Sequence, residues 1–400
     1  MERVKKIKYI NNDPNLGIDY DWELIAKEYR KLGVPPEYDL TELLPLGNDA
    51  LKWYIVNSER SVGKTTNVLL IGMVMYGLYG TVTQLIRHHI DKASYYETLF
   101  NTIVNYKNGQ YIRRLTNDEY DSVKYHWKSF YYQRREKTGK YTRADEPFCV
   151  SLAADECYNL CSFYEAPRGD WILLDECFNE TNKADEFVHF CHLLKTIVRD
   201  RMSDKIIVSG NNLDINNIWY RQLMINNEIR KMHKGQTRIC YTPEGMPIFV
   251  AFMENRLPEK RRLFNKAHFG FNNPELNAIT GNGNWNVKMY PQACELRERE
   301  TIARGIFFSY HDDLYLEGEF ITSVAGSYFL VHPTLESTAR DGDLLFTLNF
   351  PVEENQMLFG HDKLSKKILN MIASKRIVFA DNETGDLFQK YIYEAMGKVL

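Results

Sequence analysis

The sequence predicts an α/β domain on a mostly parallel sheet with helices on both faces, followed by a separate α+β domain. Three observations support this. From Leu51 to Ser209, short apolar strands alternate with helical patterns, which is the signature of a parallel sheet covered on both sides. Between about residues 236 and 300 the composition shifts to Gly, Asn and Pro, with Asn272-Asn273-Pro274 and Gly281-Asn282-Gly283-Asn284 as turn signals. After residue 300 the pattern becomes short strands with period-two alternation, closed by two helices. The expected divisions are an N-terminal arm over 1–45, a first domain over 46–235, a linker domain over 236–300 and a last domain over 301–400.

Residues 1–40 are polar, carry Pro35-Pro36, and read as an extended arm with one short helix near Trp22–Lys31. The first domain is expected to run strand 53–57, loop, helix 64–79, strand 81–87 and helix 91–106. A tyrosine-rich, charged, insert-like segment (Tyr120 to Arg143) follows. Strands 148–153 and 171–175, helix 184–200 and strand 205–209 complete it. In the last domain strands are expected at 305–310, 314–322 and 327–332, with helices 361–373 and 384–398 around strand 376–379.

The chemistry starts at Ser58-Glu59-Arg60-Ser61-Val62-Gly63-Lys64-Thr65-Thr66. This stretch lies between the apolar run Trp53–Val56 and the apolar run Val68–Met75, so the order is buried strand, tight loop, helix. In that context Gly-Lys-Thr makes a P-loop NTPase domain. Backbone N–H groups line ATP phosphates, Lys64 reaches the outer ones, and the Thr65 hydroxyl sits on a magnesium ion (Mg2+). Ser58 stands where the usual pattern opens with glycine.

Hydrolysis needs more, and Asp170-Trp171-Ile172-Leu173-Leu174-Asp175-Glu176 supplies it. Four apolar residues make a buried strand whose C-terminal end, where parallel sheets collect ligands, carries Asp175 and Glu176. Asp175 suits the magnesium through water, and Glu176 suits orienting or deprotonating the attacking water. Ala154-Asp155-Glu156 is a weaker copy behind a shorter strand. Arg60 lies inside the loop and can contact the γ-phosphate in cis. Arg199 ends the helix after the Asp-Glu pair, either to cap that helix or to stabilise a transferring phosphoryl group. Asn211, closing the next strand, is a turn residue or a γ-phosphate sensor.

Composition sets bounds. Hydrophobic content of 44% and charged content of 26% are those of an ordinary soluble protein. The apolar run Val68–Val74 is too short for a bilayer, so no membrane partner is expected. Met1–Lys8 leads into Asn-Asn-Asp-Pro without a leader pattern, which points to a cytosolic location. Seven scattered cysteines form no disulfide framework; Cys157/Cys161 and His189/Cys191/His192 leave zinc conceivable, with buried thiols the alternative. Net charge is −3, so any nucleic-acid contact rests on local basic stretches such as Arg134–Arg143 and Lys260–Lys266, which are otherwise solvated faces.

These motifs resemble, over residues 50 to 400, the DNA-packaging motor ATPases of small tailed phages of the phi-29 type. Those are relatives of the terminase large subunits, in the additional-strand, catalytic-glutamate class of P-loop NTPases. The similarity lies in Arg60 within the phosphate loop and in Leu174-Asp175-Glu176 followed by Glu186 and Leu193–Arg199. It continues in Ser209-Gly210-Asn211 with Asn217 and Trp219-Tyr220, and in Phe308-Ser309-Tyr310, Phe329–Val331 and Ile377–Asn382. The resemblance implies an ATP-driven homo-oligomeric ring, a pentamer, that sits on the portal (connector) of a prohead in the host cytoplasm and pumps double-stranded DNA. Arg199 then acts in the neighbouring subunit's site. Some relatives use a structural packaging RNA. The last domain is implied to be RNase H-like and vestigial, without nuclease activity, leaving Asp312, Asp313, Glu317, Glu319 and Asp381 as the carboxylates to place. Two departures stand out: Ser58, and the lack of a lysine before the catalytic strand, where Arg168 is the nearest candidate. Residues 1–40 and 118–147 look like additions.

Overall fold

The computed structural model describes the chain except for residues 35–38, 59–62, 88–97, 137, 155–168, 177–185, 212–217, 226–227, 230, 234, 254–262, 264–289, 310–314, 335–341, 349–350, 352 and 398–400. The chain divides into two compact units, Met1–Trp285 and Asn286–Leu400. Among the described residues no helix is long and apolar enough to cross a membrane.

The first unit holds β1 (Trp53–Ser58), β2 (Thr83–Arg87), β3 (Ser122–His126), β4 (Ser129–Arg135), β5 (Tyr141–Arg143), β6 (Cys149–Ala153), β7 (Trp171–Leu174), β8 (Lys205–Asn211), β9 (Thr237–Tyr241) and β10 (Pro247–Met253). Its helices are α1 (Trp22–Lys31), α2 (Leu40–Leu43), α3 (Lys64–Tyr79), α4 (Asn101–Asn105), α5 (Gln110–Leu115), α6 (Glu186–Val198) and α7 (Ile218–Gln222). The strands form a 10-stranded sheet in the order β3-β4-β6-β2-β7-β8-β1-β10-β9, with β5 on β4. From β6 to β10 every pairing is parallel; both edges are antiparallel. The parallel strands read as unbroken apolar runs because both faces are covered. One face packs against α3, α1 and the arm, the other against α6 and α7.

α3 is buried on nearly all sides, since it lies between the sheet and α1. It begins after Gly63 (φ 74) and stops at Gly80 (φ 75), whose N–H returns to the Tyr76 carbonyl at 2.8 Å. Gly72 sets its approach to the sheet, because a Cβ there would meet Thr83 Oγ1 at 2.1 Å.

Four expectations are changed or refined. The stretch from 236 is not all linker: 237–253 fold as the β9–β10 hairpin, and β10 joins the sheet beside β1. The reason is the apolar run Ile248–Phe252, all buried, while the Gly signal at Gly245 (φ 81) is only the hairpin turn. The Gly-Asn clusters at 270–284 lie outside the described residues. The insert-like 120–143 segment is a three-stranded antiparallel extension, anchored by Tyr132 stacked on Phe148 at 4.4 Å and by Phe130 packed at a tilt against Phe100 at 4.7 Å. The expected helix 91–106 is seen from Asn101 to Asn105, and 91–97 lie outside the described residues. The arm, finally, is not peripheral: Ile18, Ile25, Tyr29 and Leu40 belong to the buried core.

The second unit holds β11 (Glu300–Ser309), β12 (Tyr315–Ser323), β13 (Gly326–Pro333), β14 (Leu344–Thr347), β15 (Gln356–Leu358) and β16 (Ile377–Phe379), with α8 (Lys363–Ala373) and α9 (Asn382–Gly397). The sheet is 6-stranded, in the order β15-β14-β11-β12-β13-β16. An antiparallel meander, β11-β12-β13, is extended on one side by β14 and β15 parallel to β11. That is the mixed-sheet arrangement of the RNase H-like domain expected. Phe308, Phe329, Phe346 and Phe388 fill its core; β14 and β15 are too short to show in the sequence pattern.

Candidate nucleotide site

β1 is an interior strand and β7 is not its neighbour: β8 pairs with both. One strand therefore separates the phosphate-loop strand from the acidic strand, as the additional-strand class requires. Parallel sheets gather loops at their C-terminal edge, and here that edge carries Ser58, Arg87, Asp175 and Asn211.

Lys64 opens α3, and its buried ammonium donates to Ser58 Oγ at 2.6 Å. The residue that departs from the usual glycine thus holds the loop lysine. Thr65 Oγ1 donates to Asp175 Oδ1 at 2.6 Å, and Ser209 Oγ donates to the same oxygen at 2.9 Å. The Arg87 guanidinium pairs with Asp175 Oδ2, and its Nη1 lies 3.7 Å from Glu176 Oε2. Asp175 and Arg87 are buried, with side chains 2% and 7% exposed; Glu176 is open at 57%. Glu176 adopts φ 57, which turns the chain sharply just after the buried strand end. A hydroxyl and a carboxylate oxygen meeting at a helix start are hard donors of the type magnesium prefers, so Thr65 and Asp175 fit that ion.

The helix start has a further support. Asn67 Nδ2 donates to the Gly63 carbonyl at 2.7 Å, and Tyr29 of α1 donates to Asn67 Oδ1 at 2.7 Å. Burial pushes the Tyr29 hydroxyl far above its usual range, so it stays a donor.

Glu59, Arg60, Ser61 and Val62 lie outside the described residues, and Asn211 closes β8 opposite Ser58. Arg199 is not brought to this edge. It opens the turn directly after α6 with φ 51, and Arg201, two residues on, pairs with Asp170 at 2.8 Å, ahead of β7. Five extended residues part Asp170 from Asp175, about 16 Å. Sequence reasoning missed Arg87 and Ser209. A cation directly after the apolar pair Leu85-Ile86, at the end of an expected strand, was the available signal for the first.

Of the other candidates, Cys149 and Cys240 are buried and Cys191 is half-buried. Burial pushes the thiols of Cys191 and Cys240 up to about 11. Cys157, Cys161, Cys177, Arg168, Asp312, Asp313 and most of the 260–266 basic stretch lie outside the described residues. Asp381 caps α9, accepting from Thr384 N and Oγ1 at 2.7 Å each. Glu317 and Glu319 do come together with His332, ligand atoms within 4.8 Å of one another, but Arg304 and Thr301 sit on Glu319 at 3.4 and 3.0 Å.

No protein-family model and no curated protein matches the sequence. Solved structures do. The bacteriophage phi-29 viral genome packaging motor assembly covers 90% of this chain and 99% of its own, with TM-score 0.52 at 12% identity. The chain has the fold of a phage genome-packaging motor. The phi-28 gp11 DNA packaging motor covers 86% of this chain and 94% of its own, with TM-score 0.45 at 15% identity. The ATPase domain of the Thermus phage P74-26 large terminase covers 64% and 96%, with TM-score 0.37 at 16% identity.

Proposed function

We propose that this protein is an ATPase that drives double-stranded DNA through the portal (connector) of a phage prohead and so packages the viral genome. The observation that supports this most is the meeting of Thr65 with Asp175 at 2.6 Å, which brings the phosphate-loop helix and the acidic strand to one point. Lys64 and the N–H groups of the α3 start hold the phosphates of ATP. Thr65 and Asp175 hold magnesium, whose charge offsets that of the phosphate oxygens. Ser209 and Arg87 hold the Asp175 carboxylate in place. Glu176, open to the site, orients and deprotonates the attacking water. Arg60 contacts the γ-phosphate in cis, and Asn211 reports its loss along β8.

Arg199 lies at the opposite edge of its own sheet, which supports its service to a neighbouring subunit in a homo-oligomeric ring, a pentamer, on the prohead in the host cytoplasm. A structural packaging RNA as scaffold belongs to the same proposal. In the second unit the capping role of Asp381 and the Arg304 guanidinium on Glu319 favour nucleic-acid handling without nuclease chemistry.

Glu176→Gln is the test. Turnover should fall at least a hundredfold while ATP binding persists, and wild-type protein with proheads should render DNA nuclease-resistant. Unchanged turnover would overturn the assignment. Hydrolysis stimulated by single strands, with no DNA protected by proheads, would point to a helicase-like translocase.

A further inference from the structure

The edge extension β3-β4-β5 has two unlike faces. Cross-strand pairs in an antiparallel sheet share a face, and the register fixes which residues those are. Val123 with Tyr132, and Tyr125 with Phe130, turn inward to the core. The outer face carries Lys124 opposite Tyr131, Gln133 opposite Arg143, and Arg135 opposite Tyr141. Its other strand positions are Ser122, Ser129 and His126, so no carboxylate lies on it.

Lys124, Arg135, Tyr141 and Arg143 are exposed, Tyr141 at 59%, and the Arg143 guanidinium lies over the Tyr131 ring at 4.5 Å. Trp127, at the β3–β4 turn, is 86% exposed. Two acidic groups that flank the strands are engaged elsewhere. Glu136 accepts from Thr142, which pairs with Arg134 and so belongs to the other face, and Asp121 pairs with Arg113 at 3.8 Å. The three cations sit on three different strands, Lys124 on β3, Arg135 on β4 and Arg143 on β5, with neighbouring strands about 5 Å apart. A basic sheet face with interleaved aromatic rings and no carboxylate at its strand positions has the chemistry of a nucleic-acid backbone surface.

We propose that the outer face of β3-β4-β5 is a nucleic-acid contact surface, with Lys124, Arg135 and Arg143 on phosphates and Tyr141 available to an unpaired base. The proposal deepens the packaging reading by naming where the first unit meets nucleic acid. It stands on the surface alone and does not require the nucleotide chemistry.

The test uses the full-length protein with a 30-base-pair DNA duplex and a 30-nucleotide single strand, over a salt series. Arg135→Gln/Arg143→Gln should weaken binding and reduce the slope of log affinity against log salt by about 2, since each phosphate contact contributes about 0.9. Arg134→Gln, on the opposite face, should leave the slope unchanged. Tyr141→Ala should weaken single-strand binding roughly tenfold if an unpaired base stacks there, and leave both probes unchanged if the surface holds a duplex backbone only. Basal ATP turnover and thermal stability should match wild type in every variant. An unchanged slope in the double variant, or an equal loss in Arg134→Gln, would overturn the proposal. Either result leaves the Glu176→Gln test standing on its own.

Discussion

Thr65 and Asp175 are hydrogen-bonded at 2.6 Å although the strands that lead to them, β1 and β7, are not neighbours. β8 lies between and contributes Ser209 to the same carboxylate oxygen. Three parallel strands therefore end on one buried anion. Its other oxygen is taken by Arg87, from a fourth strand on the far side. The site is built from strand ends, so it inherits the rigidity of the sheet rather than of the loops around it.

Arg87 is then as much a part of the site's stability as of its charge. Removing one partner of a buried ion pair leaves the other uncompensated, at a cost of about 3–5 kcal/mol. Arg87→Met should destabilise the protein by that amount in urea unfolding, and Arg87→Lys by less, since the charge survives but the two-pronged reach to Asp175 and Glu176 does not. Arg87→Met/Asp175→Leu should recover much of the loss. A variant as stable as wild type would show that the pair is not maintained in solution.

Lys205 gives a pH signature of its own. Its side chain is buried, donating to the carbonyls of Asn48 and Leu51 at 2.9 and 2.8 Å, and burial followed by the nearby Lys52 charge lowers its pKa to about 8. A lysine whose folded pKa lies below its unfolded value binds fewer protons folded than unfolded between the two. Stability should therefore rise from about pH 8 towards the ordinary lysine pKa, by roughly 2 kcal/mol. Below pH 8 the contribution is flat. Lys205→Met should lack this rise in urea unfolding at pH 7 and pH 10; an equal rise in both proteins would assign it to other groups.

The phosphate loop, the acidic strand and the alternation of strands and helices were legible because each is a local pattern. Leu174 is followed by Asp175 wherever the chain goes, and Val68–Met75 is apolar whatever packs on it. What the sequence hid was non-local. Arg87 and Asp175 are 88 residues apart, and only the strand order makes them partners. Ser209 was passed over for Asn211 because strand pairing, not composition, decides which polar group faces the carboxylate. The β9–β10 hairpin was masked by glycine-rich turn chemistry around it, and the arm by a polar composition that hides its few core residues.

Tyr20 of the arm is one of those residues. Its hydroxyl donates to Asp170 Oδ2 at 2.8 Å and lies 2.7 Å from Thr81 Oγ1; Ser203 Oγ donates to the same carboxylate oxygen at 2.7 Å. Asp170, fully buried, also pairs with Arg201, two residues beyond Arg199. The backbone reinforces the link, since Met202 N–H donates to the Leu16 carbonyl at 2.8 Å. The arm and the turn that presents Arg199 are thus tied to one anion. Tyr20→Phe should cost about 1.5–3 kcal/mol, the range for a hydrogen bond to a charged group. Asp170→Asn should cost more, because Arg201 loses its counter-charge. In a double-mutant cycle the two should couple by at least about 0.5 kcal/mol. Additive losses in urea unfolding would mean that the arm merely lies against the domain.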